Sequence, residues 1–102
     1  MLRKLNLRQG IIDILVEDDE NIEQIEKGLI DLGLSYDREA VRKTLLELGN
    51  DLSINVSYPP NTTINNFWEA DDSTIKDFWF EVTSKGKAEW DVFAKDFFDE
   101  NE

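Results

Sequence analysis

The chain reads as an α+β domain: three helical segments, a two-stranded hairpin and a closing helix, in that order. Three observations carry this. Apolar residues recur at spacings of three and four through residues 6–49. They switch to alternation in "DLSINVSY" and again in "FWFEV". Helical spacing then returns in "SKGKAEWDVFAKDFF", directly after the second alternating stretch.

Asn6 followed by Gln9 has the form of a capping box and opens a helix with Leu7, Ile11, Ile14 and Leu15 on one face. Gly10 weakens that helix by about 1 kcal/mol relative to Ala. The run Glu17-Asp18-Asp19-Glu20 ends it, and Asn21 with Gln24 makes a second box. Ile22, Ile25, Leu29 and Leu32 stripe the second helix, which stops at Gly33. Asp37 caps a third helix, with Tyr36 and Val41 spaced for a hydrophobic staple. Val41, Leu45 and Leu48 form its stripe, and Gly49 is expected to close it.

Leu52, Ile54, Val56 and Tyr58 then alternate with Ser53, Asn55 and Ser57, which predicts a strand with one wet face. Pro59-Pro60 ends it. Phe78, Phe80 and Val82 form its natural partner. The connection between them is too long for a tight turn, so residues 59–75 are expected to form a long, mobile loop. Thr83 caps the last helix, striped by Trp90, Phe93, Ala94 and Phe97.

At 102 residues and 40% apolar content, residues 1–102 have the size of one domain. Eleven Lys and Arg oppose 23 Asp and Glu, a formal charge of −12. That field repels phosphate backbones and anionic lipid and favours basic partners, and it also serves solubility. The absence of Cys excludes disulfides, thiol catalysis and thiolate metal sites. The absence of His removes the commonest general base and transition-metal ligand. "VEDDENIE" and "EADDS" lack the ligand spacing and the Gly of a calcium loop, so no metal or cofactor is expected. No nucleophile is paired with a base and no phosphate-binding Gly loop occurs, so the expectation is a protein that is not an enzyme. "MLRKLNLRQG" has no long apolar core, so neither a signal peptide nor a membrane span is expected. The expected location is cytoplasmic, and the sequons Asn55-Val56-Ser57 and Asn61-Thr62-Thr63 are read as chance matches.

Two stretches resemble a winged helix-turn-helix domain of the bacterial regulator type. "IEKGLIDLGLSYDREAVRKTLLELG" (25–49) is similar to the helix-turn-helix pair, with Leu32-Gly33-Leu34-Ser35 at the turn. "FEVTSKGKAEW" (80–90) is similar to the hydrophobic-Thr-x-x-Gly join after the last wing strand. The resemblance implies that Thr83 caps the following helix and that Gly86 lets its first turn approach neighbouring backbone. It also implies DNA contacts from the second helix of the pair and from the wing. Here, however, the wing carries Glu69, Asp71 and Asp72 and has no Lys or Arg between Pro59 and Thr74. The turn between Ser35 and Val41 is also longer than the three-to-four-residue norm.

The DNA-contact candidates are Arg38, Arg42 and Lys43, with Arg38 and Arg42 sharing a helix face at i and i+4. Arg3, Lys4 and Arg8 would extend them if the N-terminus lies nearby. Asp37, Glu39 and Glu47 cancel the three positive charges, whereas a DNA site is expected to be a net basic patch. The protein-contact candidates are Trp79, out of phase with Phe78 and Phe80, and Trp68 in the polar loop, flanked by Asp71 and Asp72. The other reading of these aromatics is that the loop folds back and covers Trp79. Phe97 and Phe98 point about 100° apart on a helix, which suggests a homodimer edge. The expected function is a non-catalytic regulatory or accessory protein that binds another protein, with a basic protein as one version of that partner. The alternative is a DNA-binding transcription regulator using residues 37–49.

Overall fold

A computed structural model of the chain describes residues 5–99, with side chains as far as Phe97. The elements are α1 (Leu7–Glu17), β1 (Glu20–Asn21), α2 (Ile22–Asp31), α3 (Arg38–Asn50), β2 (Ile54–Tyr58) and α4 (Ile64–Glu69). A 3-10 turn (Ile75–Asp77), β3 (Trp79–Val82) and α5 (Ser84–Asp99) complete the order. The class is α+β. Five α-helices among the described residues surround one antiparallel sheet of order β1-β3-β2.

Helix ends follow the local chemistry of the sequence. The Asn6 side chain accepts from the Gln9 amide at 2.8 Å, and the Gln9 side chain accepts from the Asn6 amide at 3.0 Å. Asn21 caps α2 through the Gln24 amide at 3.0 Å, and Asp37 caps α3 through the Ala40 amide at 2.8 Å. Gly33, with φ of +78°, ends α2 in a Schellman motif: its N–H donates to Ile30, and the Leu34 N–H donates to Leu29. The core gathers Ile11, Ile12 and Leu15 from α1, Ile22, Ile25 and Leu29 from α2, and Val41, Leu45 and Leu48 from α3. Ile54 and Phe80 of the sheet and Phe93 and Ala94 of α5 close it.

The join before α5 has two functions. Thr83 Oγ1 accepts from the Gly86 N–H at 3.1 Å, capping α5, and donates to the Leu52 carbonyl at 2.6 Å. Gly86 then lies so close to the α3–β2 junction that a Cβ there would penetrate the Ser53 carbonyl oxygen. Both roles expected of this stretch are present.

Four expectations are corrected. Glu20–Asn21, read as the acidic end of a helix and the cap of the next, also pairs with Phe80 and Trp79 as β1. Gly49 does not close α3. It is buried inside the helix, where a Cβ would fall 2.6 Å from Ile64 Cβ, so its bare backbone admits α4. The helix ends instead around Leu52, with φ of +67°, where Leu52 donates to Gly49 and Ser53 donates to Leu48. That is a glycine-like end carried by a leucine, a residue type that does not signal a helix stop.

Third, the hairpin is irregular. Ile54 pairs with Val82, Asn55 with Glu81 and Val56 with Phe80, but Tyr58 pairs with Trp79, leaving Ser57 as a bulge. Tyr58 is therefore exposed rather than inward; Leu52 lies before β2, at the left-handed end of α3, and is exposed as well. Fourth, residues 59–75 are not an open loop. They contain α4, with Asn66 accepting from the Thr63 amide at 2.7 Å. Phe67 and Ile75 are fully buried, and Phe67 meets Phe80 and Phe78 edge-on at 4.9 and 5.8 Å. The last helix packs Phe97 against the core, while the Phe98 side chain lies outside the described residues.

Candidate functional site

Helix α3 and the folded 59–75 segment bring several of the candidate residues together. Arg38, Arg42, Trp68 and Asp72 line one groove of about 530 Å³ with Glu39. The cations in that groove are already engaged. Arg38 holds Glu26 of α2 in a two-pronged pair, at 2.6 Å from Nη2 and 3.2 Å from Nε. The Glu26 hydrogen bond raises the Arg38 pKa above its ordinary value, against the opposing effect of partial burial. A bidentate, charge-assisted pair of this kind is geometrically specific, and with Arg38 39% exposed it is a surface contact of modest energy.

Arg42 is bound more extensively. Its Nη2 donates to the carbonyls of Trp68 at 2.9 Å and Ala70 at 3.2 Å. Its guanidinium carbon lies 5.3 Å from the Trp68 ring centroid and 5.9 Å from that of Phe67. Its pair with Asp72 is longer, 3.8 Å, and Asp72 is 83% exposed, so that contact is weak. The two carbonyls and two rings hold the side chain; together they fasten the end of α4 to α3. Nε of Arg42 is buried and has no hydrogen-bond partner among the described residues. Lys43 is exposed and, among the described residues, makes no ion pair.

Asp71 works locally. Its carboxylate accepts from the hydroxyl and amide of Thr74 and from the hydroxyl and amide of Ser73, shaping the turn into the 3-10 segment. The Thr74 side-chain hydrogen bond, followed by that of Ser73, lowers its pKa below the usual Asp value. Because the folded value is depressed, the stabilisation is present above the ordinary Asp range and is lost as pH falls through the depressed value.

Arg8, a candidate for a basic strip, is instead a clamp between α1, the end of α3 and α5. It contacts Asp51 at 2.8 Å and both Glu89 oxygens at 2.8 Å, and its Nη2 donates to Ser53 Oγ at 3.3 Å. The Glu89 hydrogen bond raises the Arg8 pKa most, with Asp51 assisting and burial opposing. For Asp51 burial acts upward, but the hydrogen bonds from Ser53 and Arg8 prevail and lower its pKa. Arg3 and Lys4 lie outside the described residues.

The four residues expected to form one protein-binding patch divide between two places. Trp68, 39% exposed beneath Arg42, stays with Asp72 on the α3 side. Trp79 lines a separate depression on the outer face of the sheet, beside Tyr58. Sequence reading missed Tyr58, because simple alternation placed it with the inward residues and only the Ser57 bulge turns it outward. Glu26 was missed as well, since nothing in one chain pairs residues of different helices.

Among the described residues, no group of three His, Cys, Asp or Glu is placed to hold a metal ion. No helix among them is long and apolar enough to cross a membrane. Comparison with protein-family models, with curated proteins and with solved structures returns no match to this chain.

Proposed function

We propose that this chain is a non-catalytic regulatory or accessory protein of winged-helix type that acts by binding another protein in the cytoplasm. The element order supports the winged-helix assignment: α1 to α3, then the β2–β3 hairpin, then α5 entered through Thr83 and Gly86. One observation carries the functional part. The arginines of α3 that a DNA reader would present to phosphates are held by Glu26 and by the Trp68 and Ala70 carbonyls. Lys43 is left as the exposed cation of that trio with no ion pair among the described residues, in a chain of formal charge −12. A wing with Glu69, Asp71 and Asp72 adds repulsion where phosphate contacts would be needed.

Duplex DNA titrated by fluorescence anisotropy at physiological salt tests this reading. The expected outcome is binding no tighter than about 10⁻⁴ M, without sequence preference. Selection of an operator bound at about 10⁻⁸ M, lost when Arg42 and Lys43 are both changed to Ala, would establish the transcription-regulator reading instead.

A further inference from the structure

The Ser57 bulge has a chemical consequence on the sheet's outer face. In a regular hairpin Ser57 would oppose Trp79; the extra residue puts Tyr58 there instead. Directly opposed residues of an antiparallel pair project to the same side, so the two rings share one face. Asn21, opposite Trp79 on the other flank, extends that face. The result is a depression of about 550 Å³ whose walls include Tyr58, Trp79, Glu23 and Asp77. Tyr58 is 55% exposed.

Trp79 also differs from the other two tryptophans. Trp68 already carries Arg42 against its ring, and Trp90 donates its indole N–H to Asp13 at 2.9 Å. Among the described residues, Trp79 and Tyr58 have neither a cation over the ring nor a stacked ring partner. An exposed Tyr58 ring and a half-buried Trp79 ring beside two carboxylates suit a cationic side chain, attracted by the ring quadrupoles and by the carboxylate charges. A separate groove of α1 and α2, lined by Asp13, Glu17, Asp18, Glu20 and Asp31 with Lys27, adds to the net negative field that a basic segment meets.

We infer that the Tyr58–Trp79 depression receives an Arg or Lys side chain from an extended basic segment of a partner protein. The inference rests on the protein-binding reading above and assigns its docking point. A second copy of this chain is a poor occupant, because two bodies of formal charge −12 repel. Lys76 lines the same depression and opposes the incoming cation, which gives the site an internal control.

The test is two-dimensional NMR titration of the full chain with an Arg-Gly-Ser repeat peptide, with an Asp-Gly-Ser repeat as the reference. The expected result is a saturable shift of the Trp79 indole signal with Arg-Gly-Ser alone, while the Trp68 and Trp90 indoles stay in place. Tyr58→Leu, which changes an exposed ring, should weaken binding about tenfold; Lys76→Gln should strengthen it. The Glu23→Gln, Asp77→Asn pair should weaken binding and flatten its salt dependence. Peptide binding that ignores Tyr58 and Lys76 would show diffuse attraction to an acidic surface and overturn the inference while leaving the protein-binding reading intact. No binding at all would overturn it too. Tight operator binding in the DNA titration would instead overturn the reading on which it rests.

Discussion

Gly86→Ala is expected to destabilise the fold by about 3 kcal/mol or more, at or above the top of the usual range for an added buried group. Most small-to-large changes are softened by a side chain that swings away. Here the obstacle is backbone, the Ser53 carbonyl, whose oxygen also accepts the Thr83 N–H at 3.0 Å. Relief therefore requires α5 to lift off, which strains the Thr83 cap and the contacts of Arg8 with Glu89. Urea unfolding should show a lower midpoint at unchanged slope, and thermal unfolding a Tm fall of about 12 °C or more. A loss below about 0.5 kcal/mol would mean that α5 does not sit against Ser53.

Phe67→Ala is expected to cost about 3–5 kcal/mol, the range for deleting a fully buried aromatic side chain. The ring fills the space between the sheet and α3, edge-on to Phe78 and Phe80, and lies under Arg42. Its loss should also loosen residues 64–77 before the rest of the fold, visible as faster amide exchange there than in α1 or β3. A variant as stable as the parent would show that the segment is an open loop after all.

These two positions show how unevenly the fold can be read from the sequence. The Thr83–Gly86 join was legible because a cap and a close approach use residue types that few other positions need. Asn6 with Gln9, Asp37 and Gly33 were legible for the same reason: each acts within a few residues of itself. The docking of residues 59–75 was not. Ile64, Phe67 and Ile75 are scattered through a mostly polar stretch, and a six-residue helix shows too little periodicity to separate it from a loop. Gly49 misled because a glycine near a helix end fits both a stop and a close approach, and only the position of Ile64 decides between them. A two-residue strand such as β1 carries no alternation at all.

The candidate site followed the same rule. Arg38, Arg42, Trp68 and Trp79 were identifiable as residues of interest from type and position. Their roles were not, because those depend on partners 12 to 28 residues away: Glu26 for Arg38, and the carbonyls of Trp68 and Ala70 for Arg42. The pairing of Tyr58 with Trp79 on one face depends on one extra residue in a strand, a shift that reverses which side chains face out.

Arg42 is expected to hold α4 against α3 rather than to meet a ligand. The measurement that decides this is amide hydrogen exchange of residues 67–72 in Arg42→Met, which keeps an apolar stem and removes the donors. Exchange there about tenfold faster than in the parent, a difference of about 1.4 kcal/mol, with α1 unchanged, is the predicted result. Identical exchange in the two proteins would contradict the claim and return Arg42 to the set of residues available to DNA.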